Sequence, residues 1–214
     1  MSIRQRLEDT VILDGIGRKD GALLSVLVAV AATSRLRYPA GTKSSWKPGK
    51  EMGDSEAFQT FLGEESESVY GKGLRLKLSA PCPDPEDPSA PPMMLSHPAI
   101  MYKYVRCELV HAAKLPHTIE FQRSSDGALC ASYVAAENKF VFSDNWVSRL
   151  IRVVVLAREN DGQFEEERHA STILARQKLP FMFTRQNIVD FQLQFGDSKQ
   201  EVNGGFEATF CHRF

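Results

Sequence analysis

The chain lacks a large net charge of either sign, a long apolar run and any close pair of cysteines. Its 26 basic side chains stand against 27 acidic ones, a formal charge of −1 over 214 residues. That balance excludes a histone-like protein that holds nucleic acid by bulk charge, though not a local basic patch. No window reaches the ~18 consecutive apolar residues of a membrane span, and the longest apolar stretch, 22–32, is broken by Ser25. The first residues run into Glu8 and Asp9 without the apolar core of a secretion signal. Cys82, Cys107, Cys130 and Cys211 form no C-x-x-C pair, so neither a disulfide framework nor a zinc ribbon is expected. There is no Gly-rich phosphate loop, G-x-S-x-G elbow or H-E-x-x-H string. A cytoplasmic protein with reduced thiols and no membrane contact is expected.

Hydrophobic residues make up 43% and charged residues 25%, close to the averages of globular proteins. A chain of this size buries roughly 70% of its unfolded surface without metal or disulfide staples. Ile3, Leu7 and Val11 predict a helix over 2–14. Asp20 is the expected cap of a second, nearly enclosed helix over 21–38, whose terminal Arg35 and Arg37 suit the helix dipole. Asp54 or Ser55 should cap a third over 56–65, with Ala57, Phe58, Phe61 and Leu62 as its stripe. Pro81, Pro83, Pro85, Pro88, Pro91, Pro92 and Pro98 then exclude helix and central strand over 79–98 and predict an exposed insertion loop.

A helix over 99–113 follows, with Ile100, Tyr104, Cys107 and Val110 or His111 at helical intervals. Segments 118–122, 129–134 and 139–142 have the composition of short strands. Ser143 or Asp144 should cap a helix over 146–158, and Asn160-Asp161-Gly162 should break it. Beyond it, 164–178 reads as helix and 187–195 as strand. The expected fold is mainly α, a four- or five-helix up-and-down bundle with a small β-hairpin or sheet appendage, α+β overall. Its helical domain spans 1–159, with the Pro-rich insertion at 79–98 and a β-hairpin at 118–142. Residues 160–214 form a mixed α/β extension packed on it.

The segment richest in chemistry is Met101-Tyr102-Lys103-Tyr104-Val105-Arg106-Cys107-Glu108-Leu109-Val110-His111. It puts a permanent cation five residues before an imidazole, about 140° apart on a helix of ~3.6 residues per turn. A cleft between two copies of the helix would use both directions more easily than one face of a monomer. Structural readings stand beside this one. Arg106 can pair with Glu108, His111 can cap the helix end, Tyr104 fits the core, and Cys107 serves as a small buried hydrophobe. Cys107, His111 and His117 form a three-ligand metal set without a supporting fourth ligand, so no metal is expected.

The Arg-x4-His spacing, with Leu115-Pro116 and Ile119-Glu120-Phe121 after it, resembles the R-x4-6-H motif of the HEPN superfamily. That resemblance implies a helical bundle that dimerises through the helix around 99–113. It also implies metal-independent cleavage of RNA by attack of the 2′-OH on the adjacent phosphate, in a bacterial defence or toxin-type system with an antitoxin or other protein partner. Arg106 would hold the phosphate and His111 would move protons, both as catalytic residues; no cofactor is implied. Tyr102, Lys103 and Lys114 would bind substrate, and the loop cations Lys43, Lys47 and Lys50 would extend the phosphate-binding surface. Cys107 stands where such proteins often carry a polar residue, which motivates a second reading: a catalytically silent interaction module that binds a protein partner or a nucleotide.

Overall fold

The computed structural model describes residues 2–70, 79–82, 93–122, 131–134, 137 and 139–164. The expected helix at 164–178, the strand at 187–195 and most of the 160–214 extension lie outside them. Helix α1 (Ile3–Gly15) opens with a reciprocal cap: Ser2 Oγ accepts from the Gln5 N–H, and Gln5 Oε1 accepts from the Ser2 N–H. Gly17, at φ +76°, turns the chain into α2 (Lys19–Arg37). Asp20 falls inside the first turn of α2 and does not cap it; Arg18 occupies that position without a side-chain bond. Ser25 Oγ donates to the Arg6 carbonyl, tying the two helices together.

Helix α2 is the centre of the bundle. It packs against α1, α3 (Asp54–Glu64) and α7 (Trp146–Leu156), and buries Leu23, Val26, Leu27 and Val30 completely or nearly so. Gly53, rather than Asp54 or Ser55, precedes the first turn of α3. After the short α4 (Ser66–Tyr70) comes an outcome the proline count argued against. Strands β1 (Ser79–Cys82) and β2 (Met93–Ser96) pair antiparallel, with Pro81 inside β1. Both are edges of a two-stranded sheet, where a missing N–H is tolerated.

Ser96 caps the next helical run, accepting from the Ala99 N–H. The run begins as α5 (His97–Ile100), widens into a π-helix over Met101–Cys107, and resumes as α6 (Glu108–His111). It therefore stops two residues before the expected end, and Ala113 adopts the left-handed conformation at φ 56°. Its buried stripe is Ile100, Met101, Tyr104, Val105 and Leu109. Cys107 and Val110, expected in the stripe, lie outside it: Cys107 is half-buried and Val110 exposed.

The strands β3 (Ile119–Gln122), β4 (Ala131–Val134) and β5 (Lys139–Ser143) stand where composition placed them, but not as a simple hairpin. β5 lies in the middle, parallel to β3 and antiparallel to β4, and Ile119 sits opposite Phe140. Phe140 and Phe142 go inward from the central strand. Asn145, not Ser143 or Asp144, precedes α7. Leu150, Ile151, Val153, Val154 and Val155 are all buried there, as in a helix enclosed on most sides. The architecture is thus mainly helical with a small sheet, α+β overall. Among the described residues no helix is long and apolar enough to cross a membrane.

Candidate functional site

The π segment decides how the motif residues are displayed. In a π-helix the hydrogen bond closes on the fifth residue back, so each turn is wider than an α-turn; such distortions are frequent at functional sites. With Tyr104 and Val105 turned into the core, Tyr102 and Arg106 share the flank. The Arg106 guanidinium carbon stands 5.3 Å from the Tyr102 ring centroid, and that ring in turn meets Phe58 of α3 at 5.3 Å, tilted by 59°. Burial, before any charge, pushes the Tyr102 phenol up; Cys107 and Asp54 add to this and Arg106 opposes it. Tyr102 is therefore a neutral ring beneath a cation, the arrangement in which an aromatic face attracts one.

Arg106 carries the unusual feature. Its Nε is buried and has no hydrogen-bond partner. Glu108, the acid proposed to neutralise it, makes no ion pair with it among the described residues. Lys103 lies on the neighbouring exposed stripe, with its amine 4.8 Å from the Tyr104 ring centroid. Tyr104 is core as expected, 1% exposed, and its hydroxyl is unpartnered. His111 is exposed at the end of α6, and Lys114 is exposed just beyond it. The structure thus brings Arg106 and Tyr102 into contact and leaves His111 and Lys114 at the open end of the same helical run. No cluster of three His, Cys, Asp or Glu side chains suited to a metal ion occurs among the described residues, so Cys107, His111 and His117 do not assemble into one.

Three further groups gave no periodic or motif signal. Glu56, in the first turn of α3, is buried, and its carboxylate accepts from the hydroxyls of Ser44 and Ser45 and from the N–H groups of Ser45 and Trp46. Burial works to raise its pKa, but these hydrogen bonds outweigh it and hold Glu56 ionised below the usual carboxylate range. His97 is enclosed by Phe140, Phe142 and Trp146, with ring centroids at 6.0, 6.2 and 5.6 Å. Arg37, read from sequence only as a complement to the dipole, is the centre of an ion cluster with Glu64, Glu65 and Glu159.

No curated protein and no solved structure matches the chain. The resemblance to the HEPN superfamily is overturned by the family that does match, which is a different one and extends over residues 2–183. The reason lies in the weight of the two signals: an arginine and a histidine five residues apart recur by chance on amphipathic helices, whereas a match over most of the chain does not. The chain belongs to the Rv1289 family.

Proposed function

We propose that this protein binds RNA through the flank of the π segment and α6, with Arg106 as the group that takes a phosphate. The observation that carries the reading is a guanidinium placed over the Tyr102 ring, with a buried Nε that no acceptor satisfies. Arg106 is half-buried; a buried N–H without an acceptor is costly, and the rest of the planar guanidinium fork remains able to take a phosphate. Lys103, His111 and Lys114 are exposed along and just beyond the same helical run and add cationic or hydrogen-bonding reach along a backbone.

Binding fits this geometry better than cleavage. A histidine that shuttles protons is ordinarily held in one tautomer by a second group. Among the described residues His111 has no hydrogen-bond partner of that kind.

The test is the affinity for a mixed RNA pool as a function of salt. Wild type should bind at low salt and weaken along a straight logarithmic slope, and Arg106→Ala should reduce that slope by about one. An Arg106→Ala slope equal to that of wild type would remove Arg106 from the interface. In EDTA the RNA should stay intact; cyclic-phosphate ends that vanish in His111→Ala would make the protein a nuclease instead.

A further inference from the structure

The loop between α2 and α3 holds an indole in water on a rigid mount. The Trp46 side chain is 52% exposed, while its backbone N–H donates to the buried Glu56 carboxylate, 3.0 Å away. The loop around it is closed several times over. The Met52 N–H donates to the Thr42 carbonyl at 2.7 Å, the Ser44 N–H to the Lys50 carbonyl at 2.9 Å, and Lys43 and Glu51 form an antiparallel bridge. Gly41 and Gly49, at φ +87° and +81°, supply the left-handed corners that other residues take only with strain. Lys43, Lys47 and Lys50, in the same loop as Trp46, are all exposed.

We propose that Trp46 is a stacking platform for a base of single-stranded RNA, with Lys43, Lys47 and Lys50 on the adjoining phosphates. This rests on the RNA-binding reading and extends it to a substrate class. An indole face accepts any base, but only where the base is not already stacked in a duplex. A mount fixed before binding means that little loop entropy is lost when the strand arrives. The loop also runs towards the Arg106 flank. Asp54, directly after it, pairs with Arg35 at 3.4 Å and acts electrostatically on Tyr102, while the Met52 carbonyl accepts from Arg35 at 3.1 Å. On this proposal, one strand that follows this end of α3 would meet both the indole and the guanidinium.

The chain has two tryptophans, and Trp146 is 3% exposed, so quenching by a ligand in solution reports Trp46. Full-length protein at low salt is titrated with oligouridine, with duplex RNA of equal length and with oligoglutamate. Oligouridine should quench the emission, Trp46→Phe should leave only the unresponsive Trp146 signal, and Trp46→Ala should weaken oligouridine binding by about 5- to 150-fold. Oligouridine binding that depends on Arg106 but leaves Trp46 emission and Trp46→Ala affinity unchanged overturns the platform and spares the Arg106 reading. Equal quenching by duplex overturns the single-strand assignment, and quenching by oligoglutamate alone assigns the loop to an acidic peptide. No binding of either RNA overturns both readings.

Discussion

The Arg37 guanidinium grips the Glu159 carboxylate with two parallel hydrogen bonds, Nε to Oε1 at 2.8 Å and Nη2 to Oε2 at 2.9 Å, across 122 residues of sequence. Nη1 and Nη2 also reach Glu64 and Glu65 at the end of α3, and the guanidinium lies 4.6 Å from the Phe61 ring centroid. One side chain therefore ties the ends of α2 and α3 to the 3-10 turn Arg158–Asn160 that follows α7. Beside it, Asn160 donates to Thr33 Oγ1 and to the Val154 carbonyl.

Arg37→Ala should cost about 3 kcal/mol, because it leaves the largely enclosed Glu159 carboxylate, 9% exposed, without its cation. Arg37→Lys, which keeps the charge but loses the fork, should recover part of that loss. Urea unfolding at unchanged m-value measures both. A loss below about 1 kcal/mol would show that the cluster behaves as an exposed ion pair.

Acid should destabilise the protein over two pH windows. Burial holds the His97 imidazole down to about 4 against the ordinary 6.5, so between those values the unfolded chain takes up the proton first. Its contribution is complete above pH 6.5 and is lost as pH falls towards 4, amounting to about 3 kcal/mol at most. His97→Phe should flatten stability over that window. An unaltered profile would mean that His97 already titrates normally in the fold. The second window belongs to Glu159, which the hydrogen bonds from Arg37 hold at about 2 against 4.5. Its stabilisation is present above pH 4.5 and disappears towards pH 2.

Arg152 on α7 is 9% exposed, and its Nε has no hydrogen-bond partner. Burial lowers its pKa to about 10, which still leaves it a cation at neutral pH. Arg152→Met should raise stability by about 1–4 kcal/mol, since an apolar chain of similar length fills the site without the desolvation cost. The reading is thermal unfolding at fixed ionic strength. A lower midpoint would show that the guanidinium is needed where it is.

Ala113 follows α6 at φ 56°, where glycine is the usual residue. Ala113→Gly should gain about 0.5–1 kcal/mol, the relief of left-handed strain less the entropy that glycine adds to the unfolded chain. RNA affinity measured alongside stability would show whether the strained turn between His111 and Lys114 matters for binding.

The helices α1, α2, α3 and α7 were legible because each repeats an apolar residue at helical spacing: Leu7 with Val11, Leu23 with Leu27 and Val30, Phe58 with Phe61 and Leu62, Leu150 with Val154. Their caps were less legible, since Asp20, Asp54 and Ser55 are all good cap residues that ended up inside the first turn. At the candidate site, the segment 101–111 stood out by composition. Its display did not, because an α-helical projection puts Cys107 in the core stripe, whereas the buried side is Met101, Tyr104, Val105 and Leu109.

The sequence by itself determined that the protein is a helical bundle with short strands, since periodicity and local propensity act within a few residues. Only the tertiary structure decided that β5 lies between β3 and β4, that β1 and β2 pair across the proline-rich stretch, and that Arg37, Glu56 and His97 are interior groups. Each of those outcomes depends on a partner brought close by folding rather than by adjacency. Such a partner leaves no repeat in the chain that forms it.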